Sequence, residues 1–436
     1  MKENTAETKK PKVVERKYLI PFILITSLFA LWGFANDITN PMVAAFQTIM
    51  EIPVAEAALV QFAFYGGYGT MAIPAALFIR KYSYKNGILL GLLLYALGAL
   101  LFWPAAQFEL FSFFLISLYI LTFGLAFLET TANPYILSMG DAESATRRLN
   151  LAQSFNPMGS LLGMFVASNY VLTSLHSEAR DSAGNLIFNT LSVAEKTAIR
   201  THDLAVIRNP YVTLGVVVIV VFIIIAVTKM PRTQLEDKYN DNARDSAKRL
   251  IRIPKYREGV IAQLFYVAAQ IMCWTFIIQY AENIGIPKAV GQRYNILAMS
   301  IFLSSRFIST YLMKYVKSSI MLTVFAFGAM LTTLGVIFIG GMTGLYCLVA
   351  TSAFMSLMFP TIYGIALHGI GSDATLGAAG LVMAIVGGAL MPPLQGSIID
   401  LGKVGWLPAV NASFILPFIC FIVIFVYGMR AYKRNY

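Results

Sequence analysis

The fold of this chain is decided at its centre, where a charged stretch separates two apolar runs. The three segments read YVTLGVVVIVVFIIIAVTKM (211–230), PRTQLEDKYNDNARDSAKRLIRIPKYRE (231–258) and GVIAQLFYVAAQIMCWTFIIQYAEN (259–283). About 20 apolar residues are enough for a helix to cross a bilayer. The 436 residues are 58% hydrophobic and only 13% charged, whereas soluble domains average about 25% charged. The composition excludes a soluble enzyme, a disordered chain and a secreted disulfide scaffold, and it indicates a polytopic helical membrane protein.

Working outward from the centre, the hydropathy pattern predicts twelve transmembrane helices. An even number of spans places both chain ends on one side of the membrane. The predicted spans lie near residues 18–46, 57–79, 86–106, 110–138, 147–172, 208–229, 258–283, 289–313, 318–340, 342–369, 373–399 and 406–430.

The basic residues set the predicted orientation. With the N-terminus inside, the cytoplasmic segments contain 25 Lys and Arg residues and the opposite segments contain seven, which leaves Arg306 within a span. Cytoplasmic loops of membrane proteins carry such an excess. The formal net charge of +11 therefore reflects topology, and we expect no nucleic-acid partner.

Six spans, a basic hydrophilic loop and six more spans form a pseudo-repeat. This pattern is typical of the major facilitator fold, in which two six-helix bundles face each other. We predict an all-α fold with the following parts: a cytoplasmic tail (1–17), an N-terminal bundle (18–229), a central cytoplasmic loop (230–257), a C-terminal bundle (258–430) and a second tail (431–436).

Two acidic residues, Asp37 and Glu129, are placed well inside predicted spans, out of 22 in the chain. A charge at mid-membrane costs at least about 2.5 kcal/mol, so it needs a reason. Burial lets a carboxyl group take up and release a proton near neutral pH, which makes both residues candidates for proton coupling. The alternative to proton coupling is a structural role, in which the carboxyl group stays protonated or pairs with another side chain and holds two helices together.

Polar and aromatic residues recur at helical spacing around these acids. Spacings of three and four residues place side chains on one helix face. Amides and carboxylates bind sugar hydroxyls, and aromatic rings pack against the apolar face of a pyranose. For each amide alone, a hydrogen bond between helices remains the alternative. The predicted sugar-binding residues of this kind are Asn36, Asp37, Asn40, Glu129, Asn133, Gln153, Asn156, Gln270 and Trp274.

Arg306 is the single basic residue deep inside a predicted span, so it must find carboxylates, carbonyl groups or ligand oxygens. We favour gating or substrate contact over a purely structural pair. The sequence contains no HExxH, Walker A, GxSxG or CxxC motif. We therefore expect neither an enzyme nor an ATP-driven pump, and no cofactor or metal besides a coupling ion.

Five segments carry a resemblance to the bacterial L-fucose:proton symporter family of the major facilitator superfamily. They are LETTANPY (128–135), RRLNLAQSFNPMG (147–159), AQLFYVAAQIMCW (262–274), SAFMSLMFPTIYGI (352–365) and VMAIVGGALMPPLQG (382–396). The resemblance implies roles in sugar recognition and proton coupling for Glu129 and Gln153. It also implies site positions for Arg306 and Tyr363.

The first span departs from that family pattern. The family has its coupling aspartate eight residues after the tryptophan that corresponds to Trp32, and this position is Asn40 here. The acid lies three residues earlier, at Asp37, nearly one helical turn away. Asp37 can therefore still face the same cavity.

The sequence leads to one functional prediction and several rivals. We predict a proton-coupled importer of a monosaccharide, L-fucose or a related hexose, that works by alternating access as a monomer in the bilayer of the bacterial inner membrane. A uniporter or a sodium symporter of the same fold is the nearest rival. A membrane sugar sensor that does not transport belongs to a different class.

Overall fold

The structure is a computed structural model, and it describes residues 13–39, 42–52, 56, 59–179, 181, 187–231, 243–286 and 288–434. Within these residues the chain is a bundle of long helices. The predicted positions fall on twelve helical segments, named α1 to α12 in chain order.

The first six segments precede the central loop. Two of them are interrupted, α3 at Leu101 and α5 at Ser154, and α6 is 35 residues long. Their bounds are Leu19–Thr39 (α1), Leu59–Lys81 (α2), Tyr84–Leu100 with Phe102–Phe108 (α3), Phe111–Leu137 (α4), Ala145–Gln153 with Phe155–Val166 (α5) and Val193–Val227 (α6).

The last six segments follow the central loop, and α7, α10, α11 and α12 are each interrupted. Their bounds are Pro254–Thr275 with Ile277–Asn283 (α7), Lys288–Leu312 (α8), Ser318–Phe338 (α9), Gly341–Met355 with Met358–Leu367 (α10), Ala374–Met383 with Gly387–Ile399 (α11), and Ala409–Ser413 with Ile415–Lys433 (α12).

Shorter elements connect the long segments. A two-stranded antiparallel hairpin, Lys403–Val404 (β1) with Leu407–Pro408 (β2), joins α11 to α12. Further helices and helical turns lie at Arg16–Tyr18, Met42–Met50, Ala142–Ser144, Ala167–Val171, Leu172–Ser174, His176–Glu178, Ile187–Thr190, Ala243–Arg252, Gly371–Asp373 and Ala384–Val386.

The described helices confirm the predicted fold class. Nine of them are long and apolar enough to cross a membrane, and α7 makes a tenth when its two parts, bent by 41°, count as one span. The segments α5 and α8 are less apolar, and both line the cavity described below. Polar residues that face an internal cavity lower the hydropathy of a span without exposing those residues to lipid.

Two boundaries differ from the apolar pattern. The helix α6 begins at Val193, 15 residues before the predicted span, because Ser192 and Glu195 form a capping box at its start. The predicted central loop contains the helix Ala243–Arg252, whose Leu250 is buried. Hydropathy marks the part of a helix that lies in the membrane, whereas caps and local packing decide where the helix begins.

One end of the bundle, called the base, carries the two described chain ends and the helix Ala243–Arg252. The backbone N–H of Glu15 donates to Met139 O, 3.3 Å away, which joins the N-terminal end to the end of α4. Arg249 forms an ion pair with Asp373 at the start of α11, with both N···O distances at 2.9 Å.

At the base the first six helices contact the last six. Asn150 Nδ2 of α5 donates to Thr361 Oγ1 of α10 at 3.1 Å, and the hydroxyls of Tyr84 and Thr375 are hydrogen-bonded at 2.9 Å. Thr146 packs against Gly364, where an added Cβ would lie 2.7 Å from Thr146 Oγ1. This contact region, called the base seal, closes the interface below the central cavity.

Close helix contacts also depend on glycine, most of all between α1 and α5. A Cβ on Gly159 would lie 1.8 Å from Ala30 O, and a Cβ on Gly33 would lie 1.9 Å from Asn156 O. Both contacts involve backbone oxygens, which cannot rotate away. Any larger side chain must therefore push the two helices apart.

We predict that Gly159→Ala lowers the free energy of unfolding by about 1–3 kcal/mol, because overpacking forces the backbone to shift. Gly69→Ala is the matched control, since no atom lies within 4 Å of its added Cβ. The measurement is the thermal unfolding of both purified variants in one detergent. Equal melting temperatures for the two variants would contradict the argument.

Candidate functional site

A central cavity lies at the interface of the first six and the last six helices, on the side of the base seal away from the base. Its volume is about 130 Å³, similar to the roughly 150 Å³ cavity that holds a single benzene ring. It therefore fits one six-membered ring. Its lining residues are Phe29, Trp32, Asn36, Asp37, Tyr65, Tyr68, Glu129, Gln153, Asn156, Pro157, Ser160, Tyr266, Val267, Gln270, Ile271, Trp274, Met299, Phe302, Arg306, Phe359 and Ile385.

The helix α1 contributes Trp32, Asn36 and Asp37 to the cavity wall. Asp37 is 7% exposed. The indole N–H of Trp32 is buried and has no hydrogen-bond partner among the described residues. Asn40 lies outside the described residues, so its predicted role stays a prediction.

Glu129 reaches the cavity from the middle of α4. Its Oε2 is enclosed and accepts no hydrogen bond from any residue that the structure describes. One turn later, Asn133 Nδ2 donates to the backbone oxygen of Glu129 at 3.0 Å. The carboxyl group thus sits at the wall with an acceptor free for a proton or a ligand.

Gln153 is held in place from the side opposite the cavity. Its Nε2 donates to Asn133 Oδ1 at 2.9 Å, and Gln153 itself is 5% exposed. Asn133 is fully buried and does not line the cavity. Asn133 therefore lies behind the wall as a positioning residue, while Gln153 faces the cavity.

Asn156 lies one turn beyond Gln153 and ties α5 to α1. Its Nδ2 donates to Phe29 O at 3.2 Å, which leaves its Oδ1 available toward the cavity. The break at Ser154 lies between these two amides and turns both toward the same space.

The opposite wall comes from α7, where Gln270 and Trp274 line the cavity at the predicted spacing. Trp274 Nε1 donates to Ser352 Oγ at 3.2 Å. Its ring contacts Phe302 edge to face, with the centroids 5.0 Å apart. These contacts fix the orientation of the indole, so that it can present a rigid apolar surface to a ring-shaped ligand.

Arg306 of α8 connects the two groups of helices beside the cavity. Its Nη1 donates to Gln153 O at 3.0 Å, and its Nε donates to Ser356 O at 2.5 Å. The guanidinium lies 4.5 Å from the centroid of the Phe302 ring. Within the described part of the chain it forms no ion pair, so its charge is held by carbonyl oxygens and an aromatic face.

Tyr363 lies outside the cavity wall. It is fully buried in α10, and its ring stacks on Phe359 with the centroids 6.2 Å apart. Phe359 lines the cavity in its place. Tyr363 is thus one layer behind the surface that a ligand contacts.

Apart from Trp274, the sequence interpretation missed the aromatic residues that line the cavity. Trp32 precedes Asn36 by four residues, and Tyr65 and Tyr68 are three residues apart on α2. Their spacing of three or four residues from predicted site residues or from each other could have indicated that they face the cavity. Aromatic residues occur in every span except α11, however, so the signal does not separate lining residues from core residues.

A group with metal-ligand chemistry among the described residues lies far from the cavity, in the connection between α5 and α6. The ligand atoms of His176, His202 and Asp203 are within 4.8 Å of one another. Asp203 accepts backbone hydrogen bonds from His176 and Ser177, and the two imidazole rings stack 4.2 Å apart. The cavity itself is built for hydrogen bonding and ring contact.

Comparisons with known proteins agree with this arrangement. The family profile described as Major Facilitator Superfamily matches residues 23–392. The L-fucose-proton symporter of Haemophilus influenzae is 71% identical over 97% of this chain and 99% of its own length. The L-fucose-proton symporter of Escherichia coli is 36% identical over 95% of this chain and 93% of its own length.

A solved structure supports the same assignment. The crystal structure of the major facilitator transporter FucP in the outward conformation superimposes with a TM-score of 0.85 and 35% identity. The match covers 95% of this chain and 99% of that one. From its helices, its central cavity and these matches, the chain belongs to the Major Facilitator Superfamily, within the family of bacterial L-fucose-proton symporters, and it is a membrane transporter and not an enzyme.

Proposed function

We propose that this protein imports L-fucose together with a proton across the bacterial inner membrane and works by alternating access as a monomer. The named activities of its relatives support the sugar and the proton. The excess of basic residues near the base supports a cytoplasmic location of the base and of both termini. In this orientation the base seal closes the cytoplasmic side, and the cavity belongs to the outward-facing state.

One observation carries the proposal. The wall of the central cavity presents an enclosed acceptor, Glu129 Oε2, and an enclosed donor, Trp32 Nε1, and neither has a hydrogen-bond partner among the described residues. Leaving such a group unsatisfied costs about 1–3 kcal/mol. A bound sugar hydroxyl can satisfy either atom, since a hydroxyl both donates and accepts.

The remaining wall matches a deoxyhexose in shape and polarity. Gln153, Asn156, Gln270 and Arg306 offer amide and guanidinium groups to the ring hydroxyls. The aromatic rings of the wall pack against the C–H face of the pyranose and against the methyl group of fucose. The cavity volume of about 130 Å³ accommodates one pyranose ring.

Proton coupling follows from the cost of enclosing an unpaired carboxylate. When the outer ends of the helices close over the sugar, a charged Glu129 would lose contact with water without gaining a cation. A proton on Glu129 removes that cost and therefore permits the loaded transporter to reorient. Asp37, in the same cavity wall, is the second proposed proton-binding residue.

Opening the base then exposes the site to the cytoplasm, where the sugar and the proton leave. For the empty carrier to return, the hydrogen bonds of the base seal must form again. Asn150–Thr361 and Tyr84–Thr375 are the contacts that break and re-form in each cycle.

We predict that Glu129→Gln abolishes proton-driven accumulation of labelled L-fucose in proteoliposomes but retains sugar exchange. The amide keeps the shape and the hydrogen-bonding capacity of a protonated carboxyl, but it cannot release a proton. With an inward proton gradient, the internal sugar concentration in the variant should therefore not exceed the external one. Glu109→Gln is the control, because Glu109 lies at the opposite end from the base.

Other results in the same assay would favour the rival functions. Wild-type uptake that ignores the proton gradient would identify a uniporter, and uptake that needs sodium would identify a sodium symporter. Sugar binding without any uptake would identify a sensor. If Glu129→Gln accumulated sugar as the wild type does, coupling would reside elsewhere in the cavity.

We also predict that Trp32→Phe raises the KM for L-fucose about three- to tenfold, because it removes one hydrogen bond to the sugar. The ring remains, so the packing against Phe29, with centroids 4.3 Å apart, is largely kept. Trp103→Phe is the control, because Trp103 is 53% exposed on the outside of the bundle. An unchanged KM in Trp32→Phe would show that the indole N–H does not contact the sugar.

A further inference from the structure

A second cleft opens at the base, between the first six and the last six helices. One side is formed by the connection from α4 to α5, and the other by the connection from α8 to α9 and the end of α10. The cleft volume is about 660 Å³. Its lining residues are Ala142, Glu143, Ser144, Thr146, Arg147, Met313, Lys314, Tyr315, Val316, Lys317, Ser318, Ser319, Ile365 and His368.

The charge in this base cleft is unbalanced. Arg147, Lys314 and Lys317 line it, and Glu143 is the acid in its wall. Among the described residues none of the three cations forms an ion pair. Cations packed around one cleft repel one another, and they attract an anion with several oxygen acceptors.

The cations come from both groups of helices and approach each other across the interface. Arg147 belongs to α5, and Lys314 follows α8. Both line the base cleft, from opposite sides of the interface. The same interface is closed beside them by Thr146 and Gly364. Closing the base therefore brings like charges together, and opening it separates them.

We infer that the base cleft binds a phosphate-bearing anion, and that this anion stabilises the state in which the base is closed. The inference rests on the proposed alternating-access function. Basic pockets between transmembrane helices on the cytoplasmic side bind phospholipid headgroups, and Arg and Lys side chains bind phosphate oxygens. An anionic lipid headgroup and a soluble phosphate both offer this chemistry.

The helix α9 adds to the attraction at the floor of the cleft. It begins at Ser318, and its N-cap residue Lys317 makes no capping hydrogen bond with its side chain. The first turn of this 21-residue helix carries partial positive charge. An anion held by the three side chains therefore also lies near a favourable dipole.

The test measures opening of the base by cysteine labelling, without sugar or a proton gradient. The native Cys273, Cys347 and Cys420 are replaced, and Ala379→Cys is the reporter. Ala379 is 1% exposed and follows Thr375 by one turn, on the face of α11 that contacts the first six helices. It does not line the base cleft, so a bound anion cannot shield it directly.

In the lipid arm, phosphatidylglycerol is added to vesicles of neutral phosphatidylcholine. We expect maleimide to label this reporter about fivefold more slowly there than in neutral vesicles alone, since one cation near an anionic surface contributes about that factor. Inorganic phosphate with neutral vesicles forms the second arm. Slowing in the lipid arm alone assigns the headgroup as the ligand, and slowing in both arms assigns any accessible phosphate. Both results support the site.

A combined variant should label slowly in every condition, because it lacks both the repulsion between the cations and the anion site. This variant carries Arg147→Gln, Lys314→Gln and Lys317→Gln. Lys314→Glu is a second variant, which should close the base without any anion by placing a carboxylate opposite Arg147. The control Lys81→Gln with Arg252→Gln removes two exposed charges of the base outside the cleft and should respond like the wild type.

Two results would overturn the inference: no response of the wild type in either arm, or a full response of the combined variant to anionic lipid. Neither result bears on sugar transport, which the uptake assay tests separately. A transporter that accumulates L-fucose but shows no anion response would therefore keep the proposed function and lose only the base-cleft site.

Discussion

The structure depends on one constraint, which is that a hydrogen-bonding group inside a membrane bundle must find a partner in the protein or in a ligand. Most buried polar side chains here satisfy it locally. Arg306 binds the carbonyl oxygens of Gln153 and Ser356, and Asn133 joins Glu129 to Gln153. Several buried polar atoms of the described residues have no hydrogen-bond partner, among them Gln263 Nε2 and Tyr363 Oη, and two of these atoms, Glu129 Oε2 and Trp32 Nε1, belong to residues that line the central cavity. Of the unpartnered groups, these two are the ones that a ligand in the central cavity can reach.

The same constraint explains why the interface between the two groups of helices can open and close. Its contacts at the base are single hydrogen bonds and small-residue packing, such as Asn150 to Thr361 and Thr146 against Gly364. By contrast, α1 and α5 touch through their backbones at Gly33 and Gly159. Contacts of the second kind hold helices within one group rigidly, whereas contacts of the first kind break at low cost. A rigid pair of bundles with a weak seal is what alternating access requires.

Charge at the base has two distinct arrangements. Arg249 and Asp373 form a paired contact that attaches the helix Ala243–Arg252 to the start of α11. The cations of the base cleft form no ion pair within the part of the chain that the structure describes, and they lie on both sides of the interface. A paired charge fixes a local structure, whereas like charges across an interface make its closure sensitive to the anions around it. The basic residues at the base can therefore influence the conformation of the transporter.

Hydropathy and helical spacing are local properties, and they were enough to predict the membrane class, the succession of helices and most of the polar residues that line the central cavity. Asp37, Glu129, Gln153, Gln270 and Trp274 were all found in this way, and they meet at one cavity. The tertiary structure alone decided which side chains face that cavity. Asn133 and Tyr363 lie behind its wall, and Trp32 and Tyr68 lie on it. Spacing within one helix shows which side chains share a face of that helix, but it does not show what that face contacts. The contacts are decided by packing between helices that are distant in sequence.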